Sequence, residues 1–325
     1  MKKPSSFTKK LFLVVLSIFL SLIMAEIGTR VYIFGAKAFS YKLVNSAHQL
    51  GGSGLIQPSS ESEIIYELKP GLNEFFKLVR FKTNSIGLRE EREYSLEKPF
   101  RTFRVAVVGD SYTLGSGIEV HDTYPKVLEK QLNNYKGRYE FINFGVGGYS
   151  LRQYVAVIKF KALKFHPDLI LIGWCAGNDH EIDPEINFSR KYNVRPTKSG
   201  FFKSYLVQLF IHVVSHKGVS KKAIYKPNEI DHMNAMFNKI ERLPANTPVV
   251  VVNLGFDEQN GPILERLAKS CGLHFVDTIP AFQGKNQRDY VIHLLDKHPN
   301  ARANLIFAKV IQRYLLEQRL LDFKE

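Results

Sequence analysis

The stretch Val105-Ala-Val-Val-Gly-Asp-Ser111 decides the fold, because it joins a buried strand to an abrupt polar end. Residues 105–108 are small, mostly β-branched and uncharged, which is typical of a strand buried on both faces of a parallel sheet. A serine then follows at the carboxyl edge, where open α/β sheets bind their ligands. This serine is a candidate nucleophile, although Ser and Asp after a strand are also ordinary turn and cap residues. Residues 112–117 are expected to form a loop.

Strand-like and helix-like segments alternate from Arg101 onward. Further strands are predicted at 139–144, 169–174, 248–254 and 273–276. Helices are predicted at 123–135, 151–165, 228–243, 262–270 and 303–321. This alternation predicts an α/β fold of three layers (α/β/α), in which helices cover both faces of a central parallel sheet, as in flavodoxin-like proteins.

The composition is that of a globular protein, with 325 residues of which 45% are hydrophobic and 23% are charged. The length suffices for one large or two modest domains. The net charge is +14, and its distribution matters more than its size. Cys175 and Cys271 provide neither a disulfide framework nor a metal-ligand spacing. Both lie in or beside apolar runs, so we expect them to be buried small hydrophobic side chains.

Residues 1–36 are predicted to be a signal peptide or a membrane anchor. Lysines at positions 2, 3, 9 and 10 precede an apolar run at 11–25, whose length is near the upper end of a signal-peptide core. Cleavage after Ala25 would place Ile23 at the −3 position, a poor match that favours an uncleaved anchor. The lysines favour an N-terminus inside and a body outside the cytoplasm. The alternative is secretion after cleavage of the signal.

Residues 37–100 are predicted to be an N-terminal extension with β-rich content. Loop residues at 51–54 and 58–60 alternate with strand-like runs at 64–66 and 75–83. A charged stretch ends at Pro99, so the main domain is expected at 101–325. The extension contains no predicted catalytic constellation.

Three segments besides Ser111 carry residues that chemistry could use. The second strand ends in Asn143-Phe-Gly-Val-Gly-Gly-Tyr149, the third in Gly173-Trp-Cys-Ala-Gly-Asn-Asp179, and Asp296-Lys-His-Pro-Asn300 forms a loop before the last helix. Each has a structural alternative: a tight turn, a helix cap or a surface loop. Their occurrence after strands or in the final loop of one domain favours a common site.

The order of these segments resembles that of the SGNH hydrolase superfamily, the GDSL-type esterases, in their bacterial membrane-anchored form. The four blocks of that family are similar to Gly109-Asp-Ser111, Gly148, Asn178-Asp179, and Asp296 with His298. The resemblance covers residues 103 to about 320.

Two positions depart from the family pattern. Ala176 stands where a glycine is usual, and one residue instead of two separates the last Asp and His. The segment Thr83-Asn-Ser-Ile-Gly-Leu-Arg89 is also similar to one that precedes the domain in anchored members.

The resemblance implies a Ser-His-Asp triad. Ser111 would be the nucleophile, His298 its base, and Asp296 the carboxylate that orients the imidazole. Backbone N–H groups of Ser111 and Gly148 and the side-chain amide of Asn178 would stabilise the oxyanion. We assign Asp110 and Asn143 to holding the turns.

The expected function is hydrolysis of acyl esters, most simply acetyl esters, of an envelope carbohydrate or lipid. One alternative is an O-acyltransferase that uses the same triad to modify an envelope polysaccharide. Another is a non-catalytic carbohydrate-binding module, against which the complete set of site residues argues. No cofactor or metal is expected, because no phosphate loop, zinc-ligand spacing or nicotinamide fingerprint occurs.

A basic insertion is predicted at about 186–228. It carries nine Lys or Arg residues from Arg190 to Lys226 and no acidic residue, and its segment 205–214 is almost wholly apolar. One interpretation is a solvated face whose apolar segment packs on its own domain. The other is contact with an anionic surface, either phospholipid headgroups or an acidic glycan. Nucleic acid is not an expected partner, because export argues against it.

Overall fold

The computed structural model of the chain describes residues 6–46, 54–134, 138–177, 179–182, 204–215, 225–243, 247–256 and 259–322. The chain begins with helix α1 (Ser6–Phe34), followed by a 3-10 turn (Gly35–Phe39) and a short helix α2 (Tyr41–Asn45). By length and composition α1 can cross a membrane. Burial begins only at its carboxyl end, where Thr29, Ile33 and Phe34 contact the rest of the protein.

The extension forms two antiparallel hairpins. Strand β1 (Ile56–Pro58) pairs with β2 (Tyr66–Leu68), and β3 (Asn73–Phe76) pairs with β4 (Val79–Lys82). The strand-like content predicted at 75–83 is divided between β3 and β4, because the chain reverses at the two-residue turn Lys77-Leu78. Both residues have positive φ, 47° and 68°, which is the backbone of a type I′ turn.

Five parallel strands form the central sheet: β5 (Phe103–Gly109), β6 (Tyr139–Asn143), β7 (Leu169–Cys175), β8 (Val249–Leu254) and β9 (His274–Asp277). Their spatial order is β6-β5-β7-β8-β9. This is the flavodoxin-like order, in which the chain reverses direction across the sheet beside its first strand. The predicted central parallel sheet is confirmed, with boundaries within one or two residues of those expected.

Among its described residues, the main part of the chain has seven α-helices: α3 (Ser111–Leu114), α4 (Tyr124–Asn133), α5 (Leu151–Phe160), α6 (Tyr205–Ser215), α7 (Pro227–Arg242), α8 (Gly261–Ser270) and α9 (Ala301–Glu317). Alternate residues of β5 point to opposite faces of the sheet. Ala106 and Val108 belong to the core beneath α5, α7 and α8. Val105 and Val107 belong to the core beneath α4 and α9, so the three-layer prediction is confirmed.

The extension shares the core of the main domain. Ile64, Tyr66 and Phe81 are fully buried in the same cluster as Ala106 and Val108 of β5. Residues on both sides of the predicted boundary near Pro99 therefore form one continuous apolar interior.

Two segments predicted as loops are ordered differently. The residues after β5 begin with the single helical turn α3, because the Asp110 side chain accepts a hydrogen bond from Tyr112 N and caps it. Residues 296–300 do not form a simple loop: β10 (Val291–His293) and β11 (Asp296–Pro299) pair as a hairpin. Both corrections arise from local hydrogen bonding that apolar periodicity does not report.

The insertion is described at 204–215 and from residue 225 onward, and all its basic residues except Lys226 lie outside the described part. Its apolar segment forms α6. The two cysteines are buried, as expected.

A buried ion pair links β5 to β6, and its arginine also binds the backbone of two neighbouring segments. Arg104, with no exposed surface, donates to Glu140 Oε2 through Nε (3.0 Å) and through an Nη (2.7 Å). Its remaining Nη donates to the carbonyl oxygens of Phe165 and Leu96. All three branches of the guanidinium are thus satisfied away from water, which makes the pair costly to break from one side.

Arg104→Met should therefore lower the free energy of unfolding by about 3–5 kcal/mol, because Glu140 would remain buried without its partner. The loss is measured by denaturant unfolding. As a control, Lys269→Met removes the exposed ion pair with Glu265 in α8 and should leave the unfolding midpoint nearly unchanged. Equal midpoints for the parent and Arg104→Met would contradict the assigned role of this pair.

Candidate active site

The candidate site lies at the carboxyl edge of the parallel sheet. Ser111 follows β5 directly, Gly148 lies in the turn between β6 and α5, and Asp179 follows β7. Asp296 and His298 reach the same place from β11. The structure thus brings together residues that are separated by up to 187 positions in the sequence.

Ser111, His298 and Asp296 form a continuous hydrogen-bonded chain. Ser111 Oγ lies 2.9 Å from His298 Nε2, and His298 Nδ1 lies 2.5 Å from Asp296 Oδ1. Successive side chains of a strand point to opposite faces, so residues 296 and 298 of β11 share one face. The single-residue spacing, a departure from the family pattern, is therefore compatible with their contact.

Two groups hold the carboxylate of Asp296 in its ionised form. Burial by itself would raise the pKa of Asp296. The hydrogen bond and charge of His298, together with the ammonium of Lys77, outweigh burial and hold that pKa well below its usual range. An ionised Asp296 accepts a hydrogen bond from Nδ1–H, which leaves the lone pair of Nε2 to accept from Ser111. Ser111 and His298 are partly exposed, so a ligand can reach them.

Asp110 lies on the other side of the serine hydroxyl. Its Oδ2 is 3.0 Å from Ser111 Oγ, and its Oδ1 accepts from Tyr112 N at 2.8 Å. The side chain has no exposed surface, and this burial raises its pKa. Because the hydroxyl has one proton, it donates to either Asp110 or His298 at any moment. The prediction that Asp110 holds the turn is confirmed.

The glycine-rich turn after β6 packs directly against the turn that carries Ser111. Asn143 Nδ2 donates to Thr113 O at 2.7 Å, and Asn143 Oδ1 accepts from Gly145 N at 2.9 Å, which confirms that Asn143 holds this turn. A Cβ at Gly145 would lie 2.6 Å from Leu114 N, so only glycine permits this approach. Gly148 has a φ of 82°, which also favours glycine.

Asp179 fixes the loop that follows β7. Its Oδ2 accepts from Cys175 N at 2.6 Å, and its carbonyl oxygen accepts from Leu151 N at 2.9 Å. Burial, followed by the charge of Asp110, raises the pKa of Asp179 well above its usual value. Asn178, the predicted third oxyanion donor, lies outside the described residues, and its role stays a prediction.

Arg89 supports the serine turn from the extension. The buried guanidinium donates to the carbonyl oxygens of Leu114, Gly115 and Ile118. Burial lowers the pKa of Arg89 to about 10, so the side chain remains charged at neutral pH. The segment 83–89 is similar to one in anchored relatives, but the sequence does not predict that Arg89 contacts the serine turn.

Lys77 is a site residue that the sequence analysis missed. Its Nζ lies 2.8 Å from Asp296 Oδ2 and 3.1 Å from His298 Nδ1. The sequence predicts no catalytic constellation within the extension, and the structure adds this one contact from the extension to Asp296 and His298. A lone lysine in a strand-like run gives no local signal, and its contact is set by long-range packing alone.

The part of the chain that the structure describes has no group of three or more His, Cys, Asp or Glu side chains arranged to hold a metal ion.

Several solved structures are similar to this chain at low sequence identity. A two-domain esterase (CEX) active on acetylated mannans is 16% identical with a TM-score of 0.46 over 69% of this chain, which spans about half (51%) of that chain. A catalytic mutant of Axe2, an acetylxylan esterase from Geobacillus stearothermophilus, is 14% identical with a TM-score of 0.43, covering 68% of this chain and 95% of that chain. The lipase/acylhydrolase from Enterococcus faecalis is 12% identical with a TM-score of 0.45, covering 69% and 99% respectively.

No curated protein matches the chain. A family model described as GDSL-like Lipase/Acylhydrolase matches residues 107–305, a range that includes Ser111, Asp296 and His298. The match spans more than half of the sequence, and it includes strands β6 to β9 and the carboxyl end of β5. The chain therefore belongs to the GDSL-like lipase/acylhydrolase family, a family of ester hydrolases.

Proposed function

We propose that the chain is a serine esterase that hydrolyses acyl esters, most simply acetyl esters, of a carbohydrate or lipid of the cell envelope. The observation that carries this proposal is the hydrogen-bonded chain from Ser111 Oγ through His298 to Asp296. A serine hydroxyl is a weak nucleophile until a base removes its proton, and this chain supplies the base and the group that orients it.

In the proposed mechanism, Ser111 Oγ forms a bond to the ester carbonyl carbon as its proton passes to His298 Nε2. The resulting imidazolium is stabilised by Asp296, which keeps Nδ1 protonated. The bond to the alcohol then breaks, and the leaving oxygen takes the proton from Nε2. Water repeats the same steps on the acyl-enzyme, which releases the acid and restores Ser111.

The proposed oxyanion donors are the N–H groups of Ser111 and Gly148 and the side-chain amide of Asn178. The Ser111 N–H also contacts the Asp110 carboxylate, so an oxyanion would share this donor or displace that contact. Loss of one oxyanion donor typically costs about 10²–10³ in kcat.

We also propose that the protein is anchored by α1, with its body outside the cytoplasm. At 1.5 Å per residue the helix is about 44 Å long, more than the ~30 Å hydrocarbon core of a bilayer. Its apolar side chains are exposed along most of its length. The lysines before it favour this orientation.

Helix α6 supports a membrane position for the adjacent surface of the body. Glu26 of α1 accepts hydrogen bonds from Tyr205 N (3.1 Å) and Leu206 N (3.0 Å), which fixes the beginning of α6 beside α1. The following part of α6 exposes large apolar side chains: Phe210, Ile211, Val213 and Val214. Beside an exposed apolar helix, such a surface fits a lipid environment better than water. Contact of the basic residues from Arg190 to Lys226 with anionic headgroups or glycan stays a prediction.

Ser111→Ala should abolish hydrolysis of a chromogenic acetyl ester, since loss of the nucleophile in such a triad costs up to about 10⁶ in kcat. Asp296→Asn should cost less, about 10⁴, because Asp296 orients the base and does not react. Ser270→Ala, which alters an exposed hydroxyl on α8, serves as the control and should match the parent. Activity of Ser111→Ala within tenfold of the parent would remove Ser111 from the mechanism.

Mass spectrometry of the products from an acetyl donor tests whether water is the acceptor. With an envelope glycan present, we expect free acetate and an unmodified glycan. Acetyl groups on the glycan, dependent on Ser111, would instead assign transfer to a sugar hydroxyl.

A polarity-sensitive fluorophore tests the membrane surface. Attached at Phe210→Cys in the full chain, it should shift to the blue on reconstitution into vesicles and be quenched by lipid-borne quenchers. The same label at Lys309→Cys, on the exposed side of α9, should remain in water. The native cysteines are buried and should label slowly. Aqueous emission from both sites would contradict lipid contact by α6.

A further inference from the structure

The ammonium of Lys77 is buried beside the two residues that would activate Ser111. Only 7% of the Lys77 side chain is exposed, and its Nζ lies 2.8 Å from Asp296 Oδ2. The same Nζ is 3.1 Å from His298 Nδ1. These contacts join residues that are 219 and 221 positions apart, and the proposed mechanism does not require them.

The turn that carries Lys77 is held firmly in place. Lys77 N donates to Ser46 O at 2.7 Å, and Leu78 N donates to Ser46 Oγ at 3.0 Å. Lys37 Nζ donates to Leu78 O at 3.1 Å. The Leu78 side chain packs in a small cluster with residues from the end of α1, from α2 and from the loop before Asp296: Ile33, Phe34, Val44 and Leu295. The lysine therefore has a fixed position relative to Asp296.

The two oxygens of the Asp296 carboxylate have separate partners. Oδ1 accepts from His298 Nδ1, and Oδ2 accepts from Lys77. A carboxylate bound at both oxygens cannot rotate without losing a charge-assisted hydrogen bond. Because the Nδ1–H group already donates its hydrogen bond to Asp296, Lys77 acts on the imidazole through its charge. A cation at this distance opposes a second positive charge on the ring.

We propose that Lys77 is a positioning residue of the ester-hydrolysing site, which fixes the Asp296 carboxylate and places a positive charge beside the His298 imidazole. The N-terminal extension would then complete the site. This inference rests on the proposed function, because it assigns Lys77 to the same Ser-His-Asp constellation.

Several other groups also face the His298 imidazole or the Asp296 carboxylate, and their charges contribute to the pH dependence of the activity. Asp110 interacts with His298 through its charge, and the Tyr112 ring packs against the imidazole at 5.7 Å between centroids. His293 lies near the charges of both Asp296 and Lys77. Asp296 and Asp110 bring negative charge to the imidazole, whereas Lys77 brings positive charge. Removal of Lys77 alone therefore leaves the ring facing a net negative charge.

Lys77→Met should lower kcat/KM for a small neutral acetyl ester by about 10- to 100-fold, as expected for loss of a charge-assisted contact that positions the base. The acidic limb of the kcat/KM profile should move to higher pH, because one positive charge fewer faces the imidazole. Lys77→Arg should keep the acidic limb near its parental position, because the charge is retained. Lys82→Met is the matched control: it removes an ion pair with Glu91 at the far end of the same hairpin and should leave both quantities unchanged.

A double-variant cycle separates this role from simple support of the fold. If Lys77 acts through Asp296, adding Lys77→Met to Asp296→Asn should cost little more activity than Asp296→Asn alone. A purely structural lysine would reduce activity by the same factor in both backgrounds. If Lys77→Met does not fold, Lys77→Gln carries the same test, since its amide remains polar but uncharged.

The proposal is overturned if the neutral variant of Lys77 keeps the parental kcat/KM and acidic limb, or if the double-variant cycle is fully multiplicative. The proposed function fails separately, through activity that survives in Ser111→Ala. An inactive Ser111→Ala together with an unaffected Lys77→Met would reject only the role of Lys77.

Discussion

A chain of hydrogen bonds runs from Ser111 through His298 and Asp296 to Lys77. It forms only if three segments that are distant in the sequence pack together in one geometry. Each contact is shorter than about 3 Å, and such bonds weaken steeply when the geometry is lost. The rest of the structure can be understood as support for this chain. The sheet supplies the position of the serine, β11 supplies the base and its carboxylate, and the extension supplies the cation.

Support for the serine turn comes from β6, from the turn that follows β6, and from the extension. Asn143 binds the backbone of the turn from β6, Gly145 allows the close approach, and Arg89 binds three of its carbonyl oxygens. A nucleophile on such a turn is held by hydrogen bonds to the backbone, which do not depend on the side-chain rotamers of a flexible loop. This arrangement suits preorganised catalysis, in which reacting groups are in place before the substrate binds.

The extension links the segment next to α1 with the candidate site. Leu78 packs with the end of α1, while its neighbour Lys77 binds Asp296. Phe34 of α1 also contacts the ring of His293, in the strand that pairs with β11, at 5.2 Å between centroids. With α1 in a bilayer, the proposed site would lie close to the membrane surface. Substrates attached to that surface would then reach Ser111 without diffusing through the bulk solution.

The resemblance of four ordered segments to the blocks of the family indicated Ser111, Asp296 and His298. The sequence by itself determined the parallel sheet and the apolar first helix, because apolar periodicity is a local property of the chain. It also determined that Asp110 and Asn143 hold turns. Only the tertiary structure decided that Lys77 joins the site. Lys77 lies in a type I′ turn that contains no Gly or Asn, the residues from which such turns are predicted. Its partners Asp296 and His298 lie more than 200 positions away in the sequence. Local patterns report which side chains are buried, whereas the partner of a buried charge depends on how distant segments pack.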